Sequence, residues 1–216
     1  YEYADRLPAP DRAMRARTLA FASDWLRRFE AVDAATLSAA SRTDLGQLLN
    51  KLRSDRFQLT ELREYEWNPS FLNIAGPIDY ILATDYAPLP ARLKTISARL
   101  AQVPAYYRAG AALLKQPTLE HTQLAIDQAP GVLGVLDEVA KAAQGPDAAS
   151  LTAAERQQLT ARIAAAKTAV NGYTARLKQW LAEGKASGKA RSFRLGQALY
   201  EKKFGYPPLQ IRVAVD

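Results

Sequence analysis

The stretch from Thr152 to Glu183 reads TAAERQQLTARIAAAKTAVNGYTARLKQWLAE, and it is the most regular part of the chain. Its first four residues, Thr152 to Glu155, match the pattern of a helix capping box. Apolar residues then recur at alternating intervals of four and three, which is the spacing of a heptad seam: Leu159, Ile163, Ala166, Val170, Tyr173, Leu177 and Trp180. This pattern predicts one long helix of roughly eight turns that acts as the spine of the fold.

The remaining sequence has mostly helical spacing and predicts an all-α protein, an irregular multi-helix bundle of about seven to eight helices. We predict a first helix over 11–32, with one buried apolar stripe made of Met14, Thr18, Phe21, Trp25, Phe29 and Val32. A second helix is predicted to start at Ser41, with Asp44 completing a variant of the capping box. The residues that we expect to be buried are Trp25, Leu52, Leu100, Ile163, Val170 and Trp180.

Prolines and glycines predict where the helices between these elements begin and end. Asn68-Pro69 ends the second helix, because the residue before a proline avoids the helical conformation. A helix over 78–86 follows, and then a helix from Pro90 to Leu114 that is kinked at Pro104 but not divided. Thr118 is the expected N-cap of the next helix. Pro130-Gly131 is expected to interrupt that helix before a short one over 132–143.

We interpret residues 1–216 as a single helical domain, which we expect to be the N-terminal portion of a longer protein. Residues 184–191 are expected to form a flexible basic connector, because they contain two glycines and three cationic side chains. Ser192 is the predicted cap of a last helix over 193–204. Residues 205–216 form a tail. Within it, residues 209–216 show the alternation that is typical of a strand, although no partner strand is predicted.

The composition excludes several classes of site. The chain has no cysteine, so disulfides, thiolate chemistry and cysteine-ligated zinc are excluded. His121 is the only histidine, whereas a zinc enzyme usually has two or three histidine ligands. We interpret His121 as a surface or hydrogen-bonded structural residue. No catalytic residue, cofactor-binding residue or metal ligand is predicted, and no run of residues is apolar enough to span a membrane.

The net charge of +7 is concentrated near the C-terminal end of the sequence. Residues 167–203 contain nine Lys or Arg and two Glu, so this segment alone accounts for the net charge. A basic segment can bind the phosphates of nucleic acid. A solvated face of a long helix explains the same charges without a partner, and we favour that interpretation. A stand-alone helical module that docks on an acidic partner remains the alternative function.

The stretch from Glu64 to Asn73 differs from the rest of the chain, because acids, aromatics and asparagines are crowded together in it. Glu61, Glu64 and Glu66 could form an acid–base or metal site, but a solvated rim is the simpler interpretation. The aromatic residues suit either the lip of a cleft or a hydrated helix junction. The residues that we consider possible cleft-lining residues are Glu64, Tyr65, Trp67, Asn68, Asp79 and Tyr80.

Several unusual stretches occur in an order that matches one known family. They are Glu64-Tyr65-Glu66-Trp67-Asn68-Pro69, Gly76-Pro77-Ile78-Asp79, the segment from Leu119 through Ala125-Ile126 and Gln128 to Pro130-Gly131, and Phe193-Arg194-Leu195-Gly196 with Leu199-Tyr200-Glu201 and Lys203. With this order and spacing, residues 24–204 resemble the N-terminal part of the bacterial domain-of-unknown-function 885 family.

The resemblance implies a role within a larger protein. Members of that family look like zinc metallopeptidases, and many carry export or lipoprotein signals. Their zinc site is a helix of the H-E-x-x-H type in the C-terminal half, and this chain has no such motif. We therefore expect a non-catalytic helical region that walls a substrate cleft and supports an absent C-terminal catalytic half. The implied partners are that half and a peptide substrate. The implied location is periplasmic or otherwise extracytoplasmic, with the cytoplasm as the alternative.

Overall fold

The computed structural model describes residues 3–206, and these form eight α-helices joined by short 3-10 turns and loops. The all-α prediction is confirmed. Within 3–206 the only bridge of β type is an isolated one between Thr118 and Arg191. No helix in this part of the chain is both long and apolar enough to cross a membrane. The helices are α1 Arg12–Glu30, α2 Ala39–Phe57, α3 Ala75–Ala83, α4 Leu89–Leu100, α5 Val103–Leu113, α6 Leu119–Ala142, α7 Ala153–Ser187 and α8 Gln197–Phe204.

Residues 3–206 divide into two compact units, where the sequence led us to expect a single domain. The first unit contains residues 3–11 and 65–193, with α3 to α7. The second contains residues 12–64 and 194–206, with α1, α2 and α8. Of the predicted tail, Gly205 and Tyr206 belong to the second unit, and the remainder lies outside the described residues.

Helix α7 is the spine of the first unit. Thr152 accepts a hydrogen bond from the Glu155 amide at 3.2 Å, and the Glu155 carboxylate accepts one from the Thr152 amide at 2.9 Å, so the predicted capping box is confirmed. Six of the seven predicted seam residues are buried, and Trp180 is half-buried. Helices α4, α5 and α6 pack against this seam. Leu100, Leu136 and Leu177 are completely buried in the resulting core.

The predicted end of the spine helix and the predicted connector differ from the structure. Helix α7 continues to Ser187, so the first half of the expected flexible segment is helical. The helix ends at Gly188, which has a φ of 63°, a conformation that glycine adopts without a steric penalty. The last helix begins at Gln197 and not at Phe193. The residue before it, Gly196, has a φ of 78° that a helix cannot contain, so Ser192 does not cap α8.

The two prolines that were expected to act on helices in the first unit have the opposite effects. Helix α6 continues through Pro130 without a break, because Ala129, Val132 and Leu136 on both sides of it are buried. Pro104 lies in the first turn of α5, where no amide hydrogen is needed, and α4 and α5 are two separate helices. Gln102 lies at this break between α4 and α5. Its side chain accepts a hydrogen bond from the Leu7 amide at 3.1 Å and donates one to the Asp5 carbonyl at 2.8 Å.

An arginine closes the loop between α6 and α7. The Arg156 guanidinium donates to the carbonyl oxygen of Ala148 at 2.6 Å. It also donates to the carbonyl oxygen of Ala143, the C-cap residue that follows α6. Both carbonyls therefore have partners although α6 ends next to the core. The side chain of Glu155, one residue earlier on α7, also pairs with Lys94 of α4 at 2.7 Å.

The second unit has a small apolar core that is different from the predicted one. Helix α2 starts at Ala39 with Ser38 as its N-cap, three residues before the predicted cap Ser41. Ala22 and Leu26 of α1 pack against Leu52 of α2. The predicted stripe lies beside this buried face, so Trp25 is only half-buried and Phe21 is 62% exposed. Leu52, the residue of α2 that we expected to be buried, is buried.

Candidate functional site

The acidic and aromatic stretch from Glu64 to Asn73 is a corner with two short 3-10 helices, Glu64–Glu66 and Pro69–Leu72. The sequence predicted that the second helix continues to Asn68-Pro69, but α2 already ends at Phe57. A π-helical turn, Gln58–Leu62, follows α2 and stops at Arg63, whose φ is 49°. The Asn68 side chain accepts from the Ser70 amide at 3.0 Å and from the Ser70 hydroxyl at 2.6 Å. This asparagine therefore acts locally, as the cap of the second turn.

Three side chains from distant parts of the first unit meet at the corner. Trp67 is 4% exposed, and its ring makes an edge contact with the His121 ring at a centroid distance of 5.4 Å. The guanidinium carbon of Arg191 lies 4.9 Å from the centre of the Trp67 ring. A cation at this distance is attracted to the negative face of an aromatic ring. We call this group the Trp67 cluster: Trp67, Thr118, His121 and Arg191.

Thr118 connects the members of the Trp67 cluster through hydrogen bonds. Its side chain is completely buried and caps α6 by accepting the His121 amide at 3.2 Å, as predicted for this residue. The same hydroxyl is 2.7 Å from Nδ1 of His121, and the Thr118 amide donates to the Trp67 carbonyl at 3.1 Å. His121 is therefore a hydrogen-bonded structural residue, which is one of the two roles predicted for it.

Two of the glutamates near the corner are paired with lysines. Glu66 pairs with Lys115 at 2.8 Å, and Glu61 pairs with Lys202 at 2.7 Å. Nowhere in residues 3–206 do three His, Cys, Asp or Glu side chains come together in a way that could hold a metal. The ring nitrogen Nδ1 of the single histidine, His121, forms a hydrogen bond with Thr118. Within residues 3–206, the side chains therefore form no ligand set that fits a zinc site.

Tyrosines connect the corner to the spine helix. The rings of Tyr107 on α5 and Tyr173 on α7 are 5.0 Å apart, and the Tyr173 hydroxyl donates to the Pro69 carbonyl at 3.0 Å. Burial raises the pKa of both hydroxyls, so both are neutral at physiological pH. Next to them is a cavity of about 20 Å³ lined in part by Asn73, Gln128 and Tyr173. That volume holds about one water molecule.

The six possible cleft-lining residues are found in different environments. Trp67 and Asn68 are buried, Glu64 and Tyr65 are half-buried, and Asp79 and Tyr80 are exposed on α3. The structure brings Trp67 together with Thr118, His121 and Arg191, a grouping that the sequence analysis missed. No local pattern could reveal it, because Arg191 reaches Trp67 only through the packing of the chain after α7. The role of the six residues in a cleft stays a prediction.

Several charges of the basic segment are used inside their own unit. Lys167 pairs with Asp137, Arg176 stacks 4.7 Å from the Trp180 ring, Arg191 lies on Trp67 and Lys202 pairs with Glu61. These contacts account for four of the nine cationic residues. They agree with a solvated helix face, although exposed ion pairs are weak. Binding of nucleic acid or another acidic partner stays a prediction.

A shallow groove of about 410 Å³ lies between the start of α6 and the end of α7. Leu119, Leu124 and Leu181 form its apolar surface, and Asp127 and Lys185 are among the charged residues around it. None of the six predicted cleft-lining residues belongs to it.

Comparison with known proteins identifies a family and a solved structure that are similar to nearly the whole chain. The profile of a family described as "Bacterial protein of unknown function (DUF885)" matches residues 1–207. A solved structure described as "a putative lipoprotein of unknown function from Shewanella oneidensis" is 34% identical, with a TM-score of 0.88. The match covers 94% of this chain and 37% of that chain, so this chain spans little more than a third of its relative's length. No curated protein matches the chain.

Proposed function

Since this chain belongs to the DUF885 family of bacterial proteins of unknown function, we propose that it is a helical supporting region of a longer extracytoplasmic protein. In this role it walls a substrate cleft and holds a catalytic part that lies outside this chain. The observation that carries the proposal is the unequal coverage: almost all of this chain corresponds to 37% of a longer lipoprotein. A region of that kind needs rigidity more than reactive groups.

The corner between the helices supports a structural role for the unusual residues. Asn68 caps a turn, Glu66 pairs with Lys115, and Thr118 binds His121 and the backbone at Trp67. Each of these polar groups has a partner within the first unit. Side chains held in this way position neighbouring elements and are not available to exchange protons with a substrate.

The chemistry of the longer protein is the finer part of the proposal. We propose a zinc-dependent peptidase, following the resemblance described above. Residues 3–206 contain no cluster of side chains that could hold a metal, and the chain has one histidine and no cysteine, so we place the metal ligands in the remaining part of the protein. The contribution of this chain is binding and orientation of a peptide. On α3, the exposed Asp79 and Tyr80 supply a carboxylate and a phenol for that purpose.

The proposed location follows from the relative. The Shewanella oneidensis protein is described as a lipoprotein, and lipoproteins are exported and held at a membrane through lipid. We therefore place the longer protein outside the cytoplasm. Fractionation of cells that express the protein from its own gene tests this point directly, with recovery in the cytosol as the contrary result.

The test of the function compares this chain with the complete protein encoded by the same gene. Both are purified, their zinc content is measured by mass spectrometry, and both are incubated with a peptide library. We expect zinc and cleavage only in the complete protein, and a higher KM with little change in kcat for its Tyr80→Ala variant. Stoichiometric zinc and peptide turnover in this chain alone would refute the proposal, and so would a complete protein without peptidase activity.

A further inference from the structure

Helix α1 exposes a continuous row of aromatic side chains. Phe21, Trp25 and Phe29 follow one another at intervals of four residues, with ring centroids 6.2 Å and 5.4 Å apart. Phe21 is 62% exposed, and Trp25 and Phe29 are half-buried. We call these three residues the aromatic row. Exposed apolar patches with polar surroundings usually mark interaction surfaces.

The second unit uses only part of the aromatic row for its own core. Helix α1 contacts α2 through Ala22 and Leu26, which together with Leu52 form the buried cluster. Trp25 and Phe29 contact the edge of this cluster, while Phe21 lies beyond it. The row thus leaves the Phe21 ring in water, together with parts of the Trp25 and Phe29 rings, although aromatic residues contribute strongly to a core when they are buried.

Positive charge surrounds the aromatic row. The Arg28 guanidinium lies 5.0 Å from the centre of the Trp25 ring, and Arg17 precedes Phe21 by one helical turn on the same side. Helix α1 contains five arginines and two acidic residues, and its Asp24 pairs with Arg27 and, at 2.9 Å, with Arg28, so the helix keeps an excess of three positive charges. A complementary surface therefore combines an apolar groove with carboxylates at its rim.

We propose that the aromatic row is the docking surface for the remaining part of the longer protein, and that this part presents an apolar groove edged by Asp and Glu. The inference rests on the proposed function. The relative's chain extends well beyond the matched region, which supplies the occupant, and the arginines specify its charge. Phe21 is the residue that enters deepest, since it is the most exposed member of the row.

Hydroxyl-radical footprinting of the complete protein and of this chain tests the inference residue by residue. Mass spectrometry then compares the oxidation rates of Phe21, Trp25 and Phe29, with the equally exposed Phe71 as an internal reference. We expect the Phe21 rate, relative to that of Phe71, to fall several-fold in the complete protein. An unchanged ratio would overturn the docking surface, as would protection that requires anionic vesicles or that grows with the concentration of this chain alone.

A pair of matched variants gives a second readout. In this chain alone Phe21→Ser should leave the thermal midpoint unchanged, because the side chain is exposed. In the complete protein the same change should lower the midpoint, while Phe71→Ser should have the same effect in both proteins. A Phe21→Ser variant that is neutral in both would contradict the inference. Zinc content and peptidase activity are measured separately, so loss of the proposed function and loss of docking are distinguishable.

Discussion

The hydroxyl of Tyr173 donates a hydrogen bond of 3.0 Å to the carbonyl oxygen of Pro69, 104 residues earlier in the chain. Tyr173 belongs to the buried seam of α7, and Pro69 begins the second turn of the corner. This bond therefore ties the corner to the spine helix. It also satisfies part of the hydrogen-bonding capacity of the Pro69 carbonyl.

Replacing Tyr173 with Phe should destabilise the protein by about 1–2 kcal/mol, because the Pro69 carbonyl loses this hydrogen bond while the ring is kept. Urea unfolding followed by circular dichroism measures the change. Tyr200→Phe is the matched control, since that ring is exposed on α8 and we expect little effect. Equal midpoints for the two variants would show that the bond contributes nothing to stability.

A Cβ atom at Gly110 would overlap the side-chain methyl carbons of Leu72. We expect Gly110→Ala to destabilise the protein by about 1–3 kcal/mol, despite the better helix propensity of alanine. Gly172 on α7 has open space around it, so Gly172→Ala should stabilise the protein by up to about 1 kcal/mol.

The cause of the Gly110 effect is tested with a double variant. Leu72→Ala removes the overlapping atoms. Gly110→Ala should therefore cost less stability in the Leu72→Ala background than it does in the parent protein. Strictly additive unfolding free energies would rule out the overlap as the cause.

Replacing Arg156 with Met should destabilise the protein by about 2–3 kcal/mol, because the carbonyls of Ala143 and Ala148 lose a charged donor. Arg176→Met on the same helix removes only a cation that stacks on the half-buried Trp180, and we expect a cost below about 1 kcal/mol. Hydrogen exchange of residues 143–151 should rise in the first variant alone. No change in that loop would disprove the role of Arg156.

Acid should weaken the junction between α4 and α7. Hydrogen bonds from Lys94 and from the Thr152 backbone lower the pKa of Glu155 from 4.5 to about 2. Because the pKa is lower in the folded state, the stabilisation is complete above pH 4.5 and is lost as the pH falls towards 2. Glu155→Gln should therefore reduce the pH dependence of the urea midpoint between these values.

Lys94 provides the control for this acid effect, since its hydrogen bond is the largest cause of the lowered pKa. Lys94→Met should remove much of the same pH dependence, and adding Glu155→Gln to it should remove little more. Two independent, additive losses would mean that the pair is not the source of the acid sensitivity.

Thr118→Val should destabilise the corner by about 1–3 kcal/mol, because the helix cap and the partner of His121 Nδ1 disappear while the side-chain volume stays similar. Thr168→Val is the control. The Thr168 hydroxyl lies on the exposed face of α7 and donates to the Ala164 carbonyl of the same helix, so we expect almost no change in stability. Thermal unfolding compares them, and a neutral Thr118→Val would contradict a structural role for the Trp67 cluster.

The parts of the fold that were predicted correctly depend on short-range patterns. The seam of α7 repeats over many turns, and its burial follows from helix geometry alone. The two predicted capping boxes show that a short-range pattern alone does not fix where a helix begins. Thr152 forms one, but Ser41 does not, because Ser38 offers a competing cap three residues earlier. Local sequence identifies possible caps, and packing of the helix selects one of them.

The prolines show why some boundaries could not be predicted. A proline removes one hydrogen bond, and its effect depends on what the neighbouring residues gain by remaining helical. Around Pro130 buried residues hold α6 in one piece. Near Pro104 the side chain of Gln102 binds residues 5–7, which lie almost a hundred positions earlier, and this contact accompanies the break between α4 and α5.

The sequence by itself determined the helical class and the spine, because helical periodicity is a local property. Tertiary structure alone decided which face of α1 is buried and which residues surround Trp67. Those outcomes depend on contacts between residues far apart in the chain, and their free energies appear only when the helices pack.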